Sequence, residues 1–475
     1  MVCAAALACC GLAATLRAQN AADLPAAPVP HVVPLKLAGG VMVEQGSGQS
    51  MPLSLDEAIE LGMKHNLQLE LARQNQRMVH GEVLTVANNL LPSLTAKAST
   101  GTQEINLAAM GFKPASLEGF GVPPGAFHEI VKVSTTSAQL DMNQQLFNVP
   151  AYYLYRAAQK ADRVASMTEL NAEGAVTIGV GSGYLLALAD ASQIENARAL
   201  EKADEVVLRQ ATDMHNAGVG TNLDVLRARV QLQTQQQAVI RAENTFTKDK
   251  IALDRAMGLP ADQELTLTDK SPYSEFAELP LADAMKLAFE RRKDLLGLEA
   301  QLEVAERARK AVKYERLPSL SFNGHYGVLG ETTGLYHGVF AAEGKLSVPI
   351  FEEGQLRGER EVADAQVNGL RQQIASLRVT IESQIRSAML DVNSSAALVK
   401  VARSNVDLST EELQQATDRF TAGVDDNLAV VQAQAALASA QSQLVGTLYR
   451  YNVSKLMLAR NTGVVESQYR VYLGR

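Results

Sequence analysis

The sequence predicts a mostly α-helical fold with a small transmembrane β part, arranged as a duplicated helix–strand–strand–long helix unit. Three observations carry that expectation. Ala217-Gly218-Val219-Gly220-Thr221-Asn222-Leu223 is echoed 205 positions later by Ala422-Gly423-Val424-Asp425-Asp426-Asn427-Leu428. Leu91-Pro92-Ser93-Leu94 returns unchanged as Leu317-Pro318-Ser319-Leu320, at an offset of 226. After Pro150 as far as Asn216, and again from Gln355 to Thr421, no proline occurs. As α-helix each run of roughly 67 residues would span about 100 Å. Trp is absent and aromatics make up 5% of the chain, a composition better suited to long, closely packed helices than to a thick globular core. A formal net charge of -8 argues against a nucleic-acid surface.

Residues 1–18 are expected to be a secretory signal peptide. Val2 to Leu16 is small and apolar, and Leu16-Arg17-Ala18 ends in a cleavable alanine, although the usual basic n-region is missing and Arg17 is the first charge. A short buried helix is the alternative. Cys3, Cys9 and Cys10 all fall here, so cleavage after Ala18 would leave no thiol, no disulfide and no cysteine metal site. Ala6-Leu7-Ala8-Cys9 resembles a lipidation site, but the apolar run before it is short. Residues 19–52, with Pro25, Pro28, Pro30, Pro34 and Gly39-Gly40, are expected to be an extended tether. No later stretch has the roughly 18 or more uncharged apolar residues of a membrane helix.

Repeat 1 is placed at 53–258 and repeat 2 at 281–463, with a linker at 259–280 and a tail at 464–475. Ser54 with Glu57 forms a capping box for the first helix, whose opening is echoed by Leu281 to Leu287. Pro92 and Pro318 are expected to stop helices. The apolar period then becomes two, predicting β-hairpins at about 93–147 and 319–351. Leu320, Phe322, Tyr326 and Val328 alternate with Ser321, Asn323 and His325, while Phe340, Leu346 and Val348 alternate with Glu343, Lys345 and Ser347. In the first copy Leu94, Ala96 and Ala98, and Val131, Val133 and Thr135, alternate with polar residues. Each strand then has one apolar face at about the 9–11 residue length of a membrane-spanning strand. A water-exposed hairpin is the other reading. Gln103 to Glu129 is expected to be a long loop, and its counterpart a short turn near Gly330 and Gly334.

In the second long helix Ala363, Val367, Leu370, Ile374, Leu377, Ile381, Ile385, Ala388 and Val392 keep heptad spacing with one slip, the mark of supercoiled packing. Gly179-Val180-Gly181-Ser182-Gly183 is expected to interrupt the first as a bend or tight-packing site. The turns at Gly218 and Gly423 pair a helix C-cap with the N-cap that follows. Four amphipathic strands cannot close a barrel, and an open sheet edge in lipid leaves backbone groups unpaired. If they span a membrane, several chains must share one barrel.

These features together resemble the TolC-type outer membrane efflux protein family. The resemblance rests on Leu-Pro-Ser-Leu before each hairpin, Ala-Gly-Val-Gly-Thr-Asn-Leu-Asp-Val-Leu at the first turn and Thr-Ala-Gly-Val-Asp-Asp-Asn-Leu at the second, and covers about Leu53 to Gly463. It implies a homotrimer in the outer membrane lipid of a Gram-negative-type cell, with a 12-stranded β-barrel continued by a 12-helix coiled-coil periplasmic tunnel. An equatorial band would be built from Leu259 to Pro280 and the tail after Gly463. It implies a passive exit duct of a tripartite efflux or type I secretion system, with a periplasmic adaptor (membrane fusion) protein and an inner-membrane pump of RND or ABC type as partners. The periplasmic turns would form the gate: Gly218, Val219, Thr221, Asn222 and Asp224 from repeat 1, and Phe420, Gly423, Val424, Asp425, Asp426, Asn427 and Gln432 from repeat 2. Asp224 matches a family aspartate. Ala429 and Gln432 stand where pore aspartates are often found, and Phe420 where a tyrosine hydroxyl would lock the turn. Asp425 and Asp426 are expected to supply the acidic ring instead, or simply to favour the start of a helix.

The seven histidines, His215 beside the first turn among them, show no metal-ligand spacing, and no nucleophile elbow or P-loop occurs. No catalytic, cofactor or metal site is expected, so transport would draw its energy from a partner. The rival reading is a secreted coiled-coil scaffold without a pore.

Overall fold

The computed structural model describes residues 50–109, 128, 130–269, 273–276, 279–425 and 427–474. The expected signal peptide, all but the end of the tether, most of the 103–129 loop, part of the 259–280 linker, and Asp426 lie outside the described residues.

In chain order the elements are β1 (Met51–Leu53), α1 (Leu55–His65), α2 (Leu67–Asn88), β2 (Ser93–Asn106), β3 (Ile130–Phe147), α3 (Val149–Asn216), α4 (Asn222–Met257) and β4 (Leu265–Leu267). The second repeat follows with α5 (Leu281–Arg291), α6 (Lys293–Lys313), β5 (Ser319–Glu331), β6 (Tyr336–Ser347), α7 (Glu353–Thr421), α8 (Asn427–Asn461) and α9 (Val465–Leu473). The duplicated order is therefore borne out. The chain divides into two compact units.

The first unit holds residues 79–162 and 301–369. Its centre is one antiparallel sheet in the order β2-β3-β5-β6, so the two hairpins join through β3 and β5. Both Leu-Pro-Ser-Leu motifs start strands, at Ser93 and Ser319, and the helices before them end at Asn88 and Lys313, short of the prolines. β2 continues to Asn106, so Gln103–Asn106 is strand rather than loop, and β6 ends at Ser347 rather than near 351. One face of the sheet carries Leu320, Phe322, Tyr326 and Val328 beside Leu346, Phe340, Leu140 and Met142. Phe340 is 78% exposed. From Leu320 to Gly330 this apolar face runs about 33 Å along the strand, which at the usual barrel tilt gives the roughly 25 Å apolar height of an outer-membrane strand. The opposite face is polar. Lys97 Nζ lies 2.9 Å from Asp141 Oδ2, Gln139 donates to Asp141 Oδ1 at 3.2 Å, and His325 is the register partner of Asp141. Val131, Val133 and Thr135 do not share the apolar face of Leu94, Ala96 and Ala98. The register places them on the polar side, with Gln139 and Asp141. Among the described residues, β2 and β6 each pair on one side only.

The second unit holds the remaining helices and the described part of the linker. Ser54 and Glu57 form the expected box, Ser54 N donating to Glu57 Oε2 at 2.8 Å and Glu57 N to Ser54 Oγ at 3.3 Å. Two breaks escape the periodic pattern. Asn66 separates α1 from α2, its Oδ1 accepting from Gln68 N at 3.0 Å, and Arg292 separates α5 from α6. The end of the tether is not free. Met51–Leu53 pairs in parallel with Leu265–Leu267 of the linker, and Asp269 accepts from Leu55 N at 2.8 Å and Tyr184 Oη at 2.9 Å. The tail forms α9, and buried Lys455 donates to Ser274 O and Oγ, each at 3.2 Å, while Ser274 Oγ donates to Leu473 O. Leu53, Leu55, Tyr184, Met257, Leu456 and Leu473 lie in one core.

α3 runs through Gly179–Gly183 without interruption. A Cβ on Gly181 or Gly183 would stand 3.4 Å from Leu456 or Leu253, an ordinary contact distance, so neither position demands glycine. One window of α3 is long and apolar enough to cross a membrane, and 61% of it is buried within the protein. Along α7, Ala363, Val367, Ile374, Ile381, Ile385, Ala388 and Val392 are buried, as the heptad reading expects, while Leu370 and Leu377 are half-buried.

Candidate functional site: the paired helical turns

The turns arise from two kinds of local chemistry. A helix ends most easily on a residue with positive φ, which glycine adopts without a Cβ clash. Gly218 has φ 80° and Gly423 φ 69°. After the first, Val219 N and Gly220 N both donate to Met214 O at 3.0 Å; after the second, Val424 N donates to Arg419 O at 3.0 Å. Thr221 then starts α4 with a reciprocal box, Asp224 N donating to Thr221 Oγ1 at 3.3 Å and Thr221 N to Asp224 Oδ2 at 3.1 Å. Asp224 also stands 3.9 Å from Arg227. Its carboxylate is thus turned to its own helix start, where the helix dipole favours it. His215 Nδ1 is 3.3 Å from Gly220 O.

The two turns are tied together by contacts that sequence spacing does not show. Asn427 is wholly buried, and its Nδ2 donates to the backbone carbonyl of Asp224 at 3.2 Å. Phe420, 4% exposed, packs in a cluster with Val207, Ala211, Val225, Ala228 and Val430 from all four helices. The aromatic here is an apolar anchor rather than a hydroxyl lock. The structure therefore brings together Asp224, Phe420 and Asn427. Val219 and Val424 instead stand out at the ends, 74% and 71% exposed. Thr221, Asn222 and Gln432 are also exposed. Asp425 Oδ2 lies 3.3 Å from Arg419, an ion pair that offsets part of its charge.

Asp204 was missed by motif reading. It is 2% exposed on α3, and burial raises its pKa to about 6, against a smaller opposing effect of Gln231. The signal lay in periodicity. Ala197, Leu200, Asp204, Val207 and Ala211 follow steps of three and four, all of them buried, so an acid occupies one position of an apolar seam. Among the described residues no group of three metal-ligating side chains occurs.

A duplicated long-helix scaffold, an amphipathic sheet with two open edges and a pair of interlocked helical turns define the class of outer-membrane export channels. The sequence profile of the outer membrane efflux protein family matches residues 58–259 and 284–464. The chain belongs to that family. It is 26% identical over 341 residues to the probable efflux pump outer membrane protein SepC of Pseudomonas putida, covering 69% of this chain and 68% of that one. It is 25% identical over 356 residues to the alkaline protease secretion protein AprF of Pseudomonas aeruginosa, 72% of each. The crystal structure of the Campylobacter jejuni CmeC outer membrane channel superposes with a TM-score of 0.73 at 15% identity, covering 86% of both chains.

Proposed function

We propose that three copies of this chain close into one 12-stranded barrel in the outer membrane, continued by a helical tunnel whose paired turns form the periplasmic gate. The observation that carries this is the four-stranded sheet with a lipid-length apolar face and two open edges. In lipid an unpaired edge is intolerable, so β6 of one copy must pair with β2 of the next until the ring closes. The chain is then a passive exit duct with no catalytic role, serving either efflux or type I secretion; its relatives' names include both kinds of system. An adaptor protein docks on the helical ends and an inner-membrane pump supplies the energy. The groove lined by Leu408, Glu411, Glu412, Gln415, Arg419 and Asp425 offers an adaptor helix apolar contact flanked by acids.

Native mass spectrometry of the detergent-extracted protein should give a trimer, and planar bilayers containing it should pass discrete current steps. A soluble monomer without conductance would favour the coiled-coil scaffold instead.

A further inference from the structure

The first hairpin reverses its amphipathic sense part-way along. The β2–β3 register is unbroken from Ser93↔Asn143 to Asn106↔Ile130. A residue in an unbroken ladder cannot change sides, because side chains alternate with a period of two. In the lower part the lipid side carries Leu94↔Met142, Ala96↔Leu140 and Ala98↔Ala138, and the other side Thr95↔Asp141 and Lys97↔Gln139. Higher up the assignments exchange. The former lipid side carries Thr100↔Thr136, Thr102↔Ser134 and Glu104↔Lys132, with Ile130 at its end. The former polar side carries Ile105↔Val131 and Gln103↔Val133, three apolar residues in four.

The change occurs where the sheet narrows. β5 ends at Glu331, opposite Thr135, so Thr102–Asn106 and Ile130–Ser134 stand beyond it as a two-stranded arm. A row of hydroxyls marks the boundary, with Thr100 to Thr136 at 2.9 Å, Thr136 to Thr332 at 3.1 Å and Thr102 to Ser134 at 2.8 Å. Hydroxyls, Glu104 and Lys132 would be costly in hydrocarbon, so this level is the upper limit of the lipid-facing band. Below it, the side bearing the Lys97–Asp141 ion pair must face the water-filled lumen, since lipid excludes it.

We infer that the arm stands outside the bilayer and that Ile105, Val131 and Val133 line the external mouth of the channel as an apolar collar. This rests on the barrel reading, because only a closed ring of copies gives the sheet an inner side. The occupants of the far side of the collar are the same three residues of the other copies, carried around one axis by the strands beneath them. Ile105, Val131 and Val133 are half-buried, while Lys132, Glu104 and Thr102 on the other side, and Gln103 beside Val133, are exposed. A two-stranded ribbon twists more strongly than a sheet and is marginal in water with an apolar side uncovered.

The test is a set of single cysteine substitutions, Val131→Cys, Val133→Cys and Lys132→Cys, in a chain whose Cys3, Cys9 and Cys10 are replaced by serine. Each is inserted in a planar bilayer and treated from the external side with an anionic methanethiosulfonate reagent. Labelling is read by mass and conductance by single-channel current. The reagent is expected to shift the current through the Val131→Cys and Val133→Cys channels and to leave Lys132→Cys unchanged although fully labelled. A Val131→Asn, Val133→Asn double variant, checked for unchanged assembly, is expected to raise the conductance. The inference fails if Lys132→Cys alone responds, or if the Val131→Cys and Val133→Cys channels take up no reagent. If the unaltered chain forms no channel at all, the barrel reading fails with it.

Discussion

The two helical turns share a glycine, a Gly-Val pair and an Asn-Leu ending, yet they hold themselves in different ways. The first is self-contained, with Thr221 and Asp224 satisfying each other's backbone donors within one helix turn. The second depends on its neighbour. Asn427 reaches the Asp224 carbonyl and Phe420 fills the space between the helix pairs. Duplication thus supplied two copies of one turn, of which one became a base and the other a latch set upon it. A further asymmetry lies above them. Counting back from the turn glycines, buried Asp204 on the first long helix corresponds to Ser409 on the second.

The largest effect is expected at the latch. Phe420→Ala empties a buried aromatic site, a change that costs about 3–5 kcal/mol in packed cores. Limited proteolysis should cut near Gly423 far faster in this variant, while the β-sheet stays resistant. Equal protection would show that the second turn does not lean on the first.

Next comes the buried acid. The folded pKa of Asp204 is about 6, above an ordinary value of 3.8, because burial disfavours its charge. Well below pH 3.8 the carboxyl is protonated whether folded or unfolded, and it does not alter stability. As pH rises towards about 6 the folded state keeps a proton that the unfolded state has lost, so stability falls, and the full penalty remains above that. Asp204→Asn removes a penalty of about 3 kcal/mol at neutral pH, and the gain fades to nothing well below pH 3.8. Melting of the detergent-solubilised protein from neutral pH down to about pH 3 should show the two curves converge as pH drops.

The self-contained turn should suffer less. Thr221→Ala removes an N-cap at a cost of about 1 kcal/mol, visible as faster hydrogen exchange confined to the start of α4. Faster exchange at Asn427 as well would mean that the base and the latch are one cooperative piece. The smallest effect belongs to the acids that follow Val424. The paired Asp425→Ala, Asp426→Ala changes should lower cation preference in single-channel recordings. Exposed ion pairs such as Asp425–Arg419 contribute about 0–1 kcal/mol, so stability should hardly move, and unchanged selectivity would remove these acids from the gate.

Much of this architecture was legible in the residues because glycine and period are local signals. Gly218, Gly423 and the Ser54–Glu57 box announce themselves within four residues, and the buried seam of α7 repeats often enough to be counted. What escaped was set by distant partners. Met51–Leu53 is strand only because Leu265–Leu267 lies beside it, and three residues have no period of their own. The reversal in the first hairpin was hidden because Val131 and Leu94 each alternate correctly within their own strand. Only the pairing register shows that they point to opposite sides. The link between Asn427 and Asp224 joins residues 203 apart, beyond the reach of any local pattern.

The single-sided pairing of β2 and β6 also bears on how the molecule is made. A lone newly synthesised copy would carry two adhesive borders and a greasy flank through an aqueous compartment. On the proposed barrel, biogenesis must therefore keep these surfaces shielded until partners arrive, so that insertion and ring closure become one concentration-dependent event.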